Sequence, residues 1–166
     1  VKKLNPNCLV IFGGPHVPDN AENFLLENPF IDIACHKEGE SIICPLLENA
    51  LEKEWDQVPS ISYINEENKF IQNPLAKRIK SLDVIPSPYL EGVFEPLIAA
   101  FPEERWLVML ETNRGCPFSC TFCDWGSATQ AKVNQFDLDR LYKEMDWISQ
   151  KRIEFIFCCD ANFGLL

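Results

Sequence analysis

Residues 106–123 read WLVMLETNRGCPFSCTFC, an apolar run that leads directly into a loop with three cysteines. The run from Trp106 to Leu110 is typical of a strand that is buried in a parallel sheet. Residues 136–150 have apolar positions at helical spacing, and residues 153–159 form a further apolar run. Strand, loop, helix and strand together predict the opening βαβ unit of a parallel barrel or sheet. We therefore expect the cysteine loop and the polar segment after the second strand to lie at the same sheet edge.

Cys116, Cys120 and Cys123 have Cys-x3-Cys-x2-Cys spacing. Three thiolates on one short loop can each bind a different iron of a cubane cluster, which leaves the fourth iron open to a small molecule. A zinc site is the alternative, because the last two cysteines form a Cys-x2-Cys pair. Zinc usually takes its remaining ligands from a second such pair, and the adjacent Cys158 and Cys159 lack that spacing. The spacing therefore favours an iron–sulfur cluster over zinc.

The amino-terminal third alternates between strand and helix patterns. The apolar run from Cys8 to Phe12 ends at Gly13 and Gly14, and residues 31–35 form a second run. Helical patterns follow each of these runs. We interpret residues 1–55 as the second half of a doubly wound α/β domain.

Residues 56–104 have a different character. Residues 61–64 and 69–71 flank a polar turn and predict a small hairpin. Prolines then punctuate a stretch without clear periodicity, at Pro74, Pro86, Pro88, Pro96 and Pro102. We interpret this stretch as an ordered connector to a second unit at residues 105–166.

The composition excludes several classes of protein. With 46% hydrophobic residues among 166, the chain can form a packed core. Its net charge of −10 argues against a broad basic surface for nucleic acid, so no nucleic-acid partner is expected. No apolar run approaches the ~20 residues that span a bilayer. We expect no signal peptide, since Lys2 and Lys3 are followed by Leu-Asn-Pro-Asn and not by a long apolar core. We expect a cytoplasmic protein without a membrane segment, in which the cysteines bind metal or are buried rather than disulfide-bonded.

Both ends of the chain resemble cut ends. The chain begins with Val1 and stops at Leu166, shortly after a predicted strand. Because such strands need neighbours to cover them, we expect a fragment of a longer protein that is itself inactive.

Residues 111–123 closely resemble the cluster loop of the radical S-adenosylmethionine (SAM) enzymes. The match comprises the three cysteines, the sequence Arg-Gly-Cys-Pro-Phe and the aromatic residue before the third cysteine. The resemblance implies that Cys116, Cys120 and Cys123 bind a [4Fe-4S] cluster. The open iron of this cluster would be chelated by the amino and carboxylate groups of SAM. It also implies that Phe122 packs beside the adenine, with an ordinary core phenylalanine as the alternative.

The segment after the second strand, Asp160-Ala161-Asn162, stands where many members of this superfamily have a Gly-Gly-Glu-like sequence. It is similar to a variant in the cobalamin-dependent members, which implies that Asp160 and Asn162 bind SAM. Asp160 would accept a hydrogen bond from the SAM ammonium group, and a loop cap or turn former is the alternative. Cys158 and Cys159 are expected to be small buried hydrophobic residues.

The amino-terminal part resembles the second half of a cobalamin-binding domain. The resemblance rests on Gly13-Gly14-Pro15-His16 after a strand, then Asp32 and then Glu38-Gly39-Glu40. It implies that Gly13 and Gly14 let the nucleotide tail of cobalamin approach the backbone closely, because glycine has no Cβ. Lys37 stands directly before Glu38, at a position where this arrangement usually has glycine. His16 and His36 do not occupy the family's cobalt-ligand position and are expected to be exposed loop histidines.

The chain is thus identified as a member of the cobalamin-binding radical SAM enzymes. The resemblance implies an α/β fold in which half of a Rossmann-like cobalamin-binding domain precedes the start of a partial (β/α) barrel. The implied enzyme methylates an unactivated carbon by a 5′-deoxyadenosyl-radical mechanism, with a [4Fe-4S] cluster, SAM and cobalamin as cofactors. The alternatives are a cobalamin-dependent cyclase or rearrangement enzyme, a tRNA methylthiotransferase-like protein and a non-enzymatic zinc-binding interaction domain. Expected partners are a small-molecule or peptide substrate and a one-electron donor such as flavodoxin or ferredoxin.

Overall fold

The computed structural model describes residues 1–50, 52, 54–123 and 132–164. The chain divides into two compact units, Val1–Ile79 and Lys80–Leu166. The sequence pattern predicts a different division, into residues 1–55, 56–104 and 105–166. That division concerns the domain boundaries implied by the family resemblance, and it stays a prediction.

The first unit contains a four-stranded sheet in the order β1-β2-β3-β4. The strands are β1 (Ile11–Phe12), β2 (Ile33–Cys35), β3 (Ile61–Ile64) and β4 (Phe70–Gln72). β1 and β2 are parallel, as the alternating pattern predicts, whereas β3 and β4 form the predicted hairpin and run antiparallel. The hairpin extends the sheet, because Ile33 of β2 lies opposite Tyr63 of β3.

Two hydrophobic clusters cover this sheet. Helix α1 (Glu22–Glu27) lies between β1 and β2, and helix α2 (Ile43–Glu48) follows a 3₁₀ turn after β2. The neighbouring residues Ile33 and Ala34 belong to different clusters, since successive side chains of a strand point to opposite faces. The first cluster contains Ile33, Ile42, Leu46, Val58, Ile61 and Tyr63, and the second contains Ala21, Leu25, Ile31 and Ala34. The sheet is therefore packed on both faces.

The second unit contains the predicted βαβ arrangement. After helix α3 (Glu95–Ala100), its strands are β5 (Leu107–Leu110), β6 (Asn113–Arg114), β7 (Asn134–Gln135) and β8 (Phe155–Cys158). β5 and β8 pair in parallel, with Leu107 opposite Phe155 and Leu110 opposite Cys158. β6 and β7 form a short antiparallel ladder that the sequence pattern did not reveal. The α/β fold class is confirmed.

Helix α4 (Leu138–Gln150) connects β7 to β8. Asp137 caps it, because the Oδ1 atom accepts hydrogen bonds from the backbone N–H groups of Asp139 at 2.9 Å and Arg140 at 3.3 Å. The connector packs against this helix: the ring centroids of Tyr89 and Trp147 are 5.1 Å apart, and Trp147 Nε1 donates to Glu95 Oε1 at 2.9 Å. This part of the predicted connector thus belongs to the second unit.

The strands of the second unit have the sequence pattern of buried strands but are only partly covered in this chain by itself, as expected for strands that need further neighbours. Met109 and Phe157 are both 59% exposed. The reason is that β5 and β8 form a sheet of only two strands within the described residues. None of the helices in the described ranges is both long and apolar enough to cross a membrane.

Candidate functional site

The cysteine loop follows the short strand β6, which begins three residues after the end of β5. Gly115, at the end of β6, has φ 124°, a backbone conformation that L side chains rarely adopt, and it turns the chain into the loop. Cys116 and Cys123 are half-buried and Cys120 is exposed. The backbone N–H of Cys123 donates to the carbonyl oxygen of Cys120 at 3.2 Å, so the last two cysteines share one turn.

A charged pair secures the base of this loop. Arg114 Nε donates to Glu111 Oε1 at 3.0 Å, and Arg114 Nη2 donates to Glu111 Oε2 at 2.8 Å. The two parallel bonds fix the orientation of both side chains, which a single contact would not do. The pair joins the residue after β5 to the last residue of β6 and so holds the segment from which the loop departs.

Asp160, two residues after β8, binds the same segment from the neighbouring strand. Its Oδ1 atom accepts hydrogen bonds from the backbone N–H of Thr112 at 2.7 Å and of Asn113 at 3.2 Å. Its Oδ2 atom accepts from the Thr112 hydroxyl group and from Asn113 Nδ2, the latter at 3.2 Å. The expected proximity of the cysteine loop and the Asp160 segment is confirmed, because β5 and β8 are adjacent and parallel.

Asn162 extends these contacts to a thiol. Asn162 Nδ2 donates to Cys116 Sγ at 3.1 Å, and Asn113 Nδ2 lies 3.5 Å from the backbone oxygen of Asn162. We call Asp160, Thr112, Asn113, Asn162 and Cys116 the Asp160 network. Thr112 and Asn113 were missed by the sequence reasoning, although polar residues just after a parallel strand are the positions where such sites form.

Asn113 contains an unsatisfied acceptor. Its side chain is 1% exposed, and its Oδ1 atom has no hydrogen-bond partner within the described residues. A buried acceptor without a partner costs about 1–3 kcal/mol. This oxygen therefore fits an N–H or O–H donor from a bound molecule.

The described residues contain no group of three or more His, Cys, Asp or Glu side chains arranged to hold a metal ion. The three thiols of the loop thus do not converge, and their role as cluster ligands stays a prediction. The donor set itself fits an iron–sulfur cluster, since it supplies three thiols from one loop with partial solvent access. Phe122 is 91% exposed in this chain, and large apolar side chains of β5 and β8 are exposed as well, so its exposure does not test the alternative of a core phenylalanine. Its contact with adenine stays a prediction.

Gly13 and Gly14 follow β1 in an open turn. Gly14 has φ 90°, and its carbonyl oxygen accepts from the backbone N–H of Val17 at 3.1 Å. A Cβ atom on Gly14 would have nothing within 4 Å, and one on Gly13 would lie 3.7 Å from Cys35 Cβ. The described chain leaves the space beside Gly14 free and gives Gly13 only one contact of ordinary length, which fits the close approach of a ligand to the backbone.

His36 is buried, so the expectation of an exposed loop histidine is wrong for this residue. Its side chain is 4% exposed, and Nε2 lies 2.8 Å from Ser62 Oγ. The His36 backbone N–H donates to the Ser60 carbonyl oxygen at 2.8 Å, which continues the pairing of β2 with β3. Burial lowers the pKa of His36 below its usual 6.5, because the charged imidazolium loses solvation. His16 is exposed, as expected.

No protein-family model matches the chain. Two curated proteins are similar to it over its full length. One is the cobalamin-dependent radical SAM methyltransferase TokK of Streptomyces tokunonensis, which is 42% identical over 170 aligned residues, 100% of this chain and 25% of the relative. The other is the 2-(S-pantetheinyl)-carbapenam-3-carboxylate methyltransferase of Streptantibioticus cattleyicolor, which is 40% identical with the same coverage.

Solved structures show the same fold. The cobalamin-dependent SAM radical enzyme OxsB, with aqua-cobalamin and SAM bound, has a TM-score of 0.67 and 28% identity over 93% of this chain and 21% of its own. The radical SAM methyltransferase TsrM of Kitasatospora setae, with cobalamin and a [4Fe-4S] cluster bound, has a TM-score of 0.61 and 20% identity over 95% of this chain and 31% of its own. The chain spans about a quarter of the length of the curated relatives that it matches.

Proposed function

We propose that this chain, whose homologues are cobalamin-dependent radical SAM methyltransferases, is part of an enzyme that transfers a methyl group from SAM to an unactivated carbon by way of cobalamin. The observation that carries the proposal is the three-cysteine loop, held at the end of β5 by the carboxylate of Asp160. A loop with ligating residues at the carboxyl ends of parallel strands is the usual place for chemistry in such folds.

In this proposal Cys116, Cys120 and Cys123 hold a [4Fe-4S] cluster. When bound, the cluster supplies one electron for the reductive cleavage of SAM to methionine and a 5′-deoxyadenosyl radical. The two hydrogen bonds between Arg114 and Glu111 fix the segment just before Cys116, which restricts the positions of the cysteine ligands.

The SAM site is proposed to include Phe122, Asp160 and Asn162, as the resemblance implies. Asp160 orders the backbone of Thr112 and Asn113, which places the buried Asn113 Oδ1 atom beside this segment without a partner. We propose that this oxygen accepts a hydrogen bond from an N–H donor such as the ammonium group of SAM.

The cobalamin site is proposed to include Gly13 and Gly14. The support is the free space beside Gly14, the uncrowded position of Gly13 and the turn that Gly14 makes at positive φ. OxsB, the structural neighbour at 28% identity, was solved with aqua-cobalamin bound.

The substrate and the electron donor are proposals as well. The relative in Streptantibioticus acts on a pantetheinyl carbapenam carboxylate, so a small molecule of that class is the first substrate to assay. A one-electron donor such as flavodoxin or ferredoxin would deliver electrons, and a cytoplasmic location would suit it.

The test uses the full-length protein, reconstituted with iron and sulfide without oxygen. We expect about four irons per chain and formation of 5′-deoxyadenosine from SAM under a strong reductant. Changing any one of Cys116, Cys120 or Cys123 to alanine should abolish both. Cys44→Ala is the matched control, because Cys44 is exposed in the first unit. Retention of the cluster in all three loop variants would overturn the assignment, and zinc in place of iron would support the zinc-binding alternative.

The products distinguish the candidate reactions. With its true substrate the enzyme should form S-adenosylhomocysteine together with 5′-deoxyadenosine, since the first reports the methyl transfer and the second reports the radical step. Formation of 5′-deoxyadenosine without S-adenosylhomocysteine would replace methyl transfer by the cyclase or rearrangement reaction.

A further inference from the structure

We propose that Asn162 donates a hydrogen bond to the Cys116 thiolate and thereby raises the reduction potential of the cluster. This inference rests on the proposed function, because it assumes that Cys116 is a cluster ligand. It assigns to Asn162 a positioning and tuning role toward the sulfur, in addition to the contact with SAM that the resemblance implies.

The geometry points to a directed bond. Asn162 Nδ2 lies 3.1 Å from Cys116 Sγ, although the two residues are 46 positions apart in the chain. An amide nitrogen has two N–H groups and no acceptor capacity, so at this distance it presents a proton to the sulfur. Both residues are half-buried, which reduces competition from water.

The Asp160 network holds Asn162 in place. The buried Asn113 side chain contacts the backbone oxygen of Asn162 through Nδ2 at 3.5 Å and Asp160 Oδ2 at 3.2 Å. Asp160 in turn is held by the backbone N–H of Thr112 at 2.7 Å. The backbone of Asn162 is therefore held beside Asn113 of β6 and Asp160 of the segment that follows β8.

The effect on potential follows from charge. Reduction adds one electron, supplied by the external donor, to the cluster and its thiolate ligands, and no bond forms or breaks. An N–H dipole directed at a ligating sulfur stabilises the more negative, reduced state, and hydrogen bonds to sulfur are among the determinants of cluster potentials. Removal of the donor should make the cluster harder to reduce.

The experiment is a redox titration of the full-length protein, reconstituted without oxygen and followed by electron paramagnetic resonance. We expect a more negative midpoint potential in Asn162→Leu, because leucine has a similar size and no hydrogen-bond donor. The midpoint potential of Asn162→Asp should be more negative than that of the leucine variant, because aspartate adds a negative charge. Asn162→Ser, which keeps an O–H donor, should return towards wild type. Asn5→Leu, at an exposed position of the first unit, should leave the potential unchanged.

The outcomes separate this inference from the proposed function. An Asn162→Leu protein with a cluster at the wild-type potential would overturn the inference alone. If Asn162→Leu fails to assemble a cluster while Asn162→Ser assembles one, the hydrogen-bond donor is needed and the inference is supported. If neither variant assembles a cluster, the role of Asn162 is structural and the inference is overturned. A wild-type protein that binds no iron–sulfur cluster overturns the proposed function, and this inference with it.

Discussion

At the residue scale, Gly13 offers a clean test of the cobalamin site. A Cβ atom at Gly13 would make an ordinary 3.7 Å contact with Cys35 Cβ, whereas any side chain at Gly14 would be strained by its φ of 90°. We therefore expect Gly13→Val in the full-length protein to weaken cobalamin binding about tenfold or more, ~1.4 kcal/mol, because the side chain occupies the space of the nucleotide tail. Spectroscopic titration with cobalamin measures this.

The control for this substitution is Glu66→Val, since Glu66 is exposed in the turn between β3 and β4 and lies outside the residues that carry the cobalamin resemblance. Both variants should melt within a few degrees of the wild-type protein, which separates loss of binding from loss of folding. Wild-type cobalamin affinity in Gly13→Val would refute the placement of the tail.

At the element scale, a buried histidine lies where β2 pairs with β3. His36 Nε2 is 2.8 Å from Ser62 Oγ, and the His36 backbone N–H donates to the Ser60 carbonyl oxygen. Burial lowers the pKa of His36 below 6.5, so between that lowered value and 6.5 the unfolded state binds more protons than the folded state. The contribution of His36 to stability is therefore complete above pH 6.5 and is lost as the pH falls towards the lowered pKa. We expect the protection of the β2 and β3 amides in the full-length protein to decrease in this window, as measured by hydrogen exchange corrected for intrinsic rates.

Two variants check the origin of this pH dependence. His36→Gln removes the titrating group and should flatten the profile. His16→Gln changes an exposed histidine and should leave the profile as in wild type. A profile that persists unchanged in His36→Gln would assign the effect to another group.

At the scale of the whole molecule, the sheet of the second unit leaves large apolar side chains exposed. Met109 and Phe157, which lie opposite each other in the register of β5 and β8, are each 59% exposed. Exposed apolar residues on a short, unprotected sheet favour association between copies. We expect the 166-residue chain, produced alone, to self-associate with increasing concentration in sedimentation velocity.

The combined change Met109→Lys and Phe157→Glu should reduce this association, because it replaces an apolar cross-strand pair by opposite charges. Leu4→Lys, at a position that is 94% exposed in the first unit, is the control and should not reduce it. A monomer at all concentrations in the unmodified chain would contradict the expectation.

The sequence by itself determined the local features of this protein. The βαβ order, the hairpin and helix α4 follow from hydrophobic spacing, which depends on neighbouring residues only. The three-cysteine loop was equally visible, since the spacing of Cys116, Cys120 and Cys123 is a property of one short segment. Helix α3 escaped prediction because it lies in the proline-punctuated stretch, where Pro96 stands in its first turn and the apolar residues show no clear helical period.

Only the tertiary structure decided which distant residues meet. Asp160 binds Thr112 across 48 positions, and Asn162 reaches Cys116 across 46, because β5 and β8 pair in parallel in one register. A shift of one residue in that register would turn these side chains to the other face. The burial of His36 and the exposure of Phe157 likewise depend on which elements cover each strand, and spacing along the chain does not specify that.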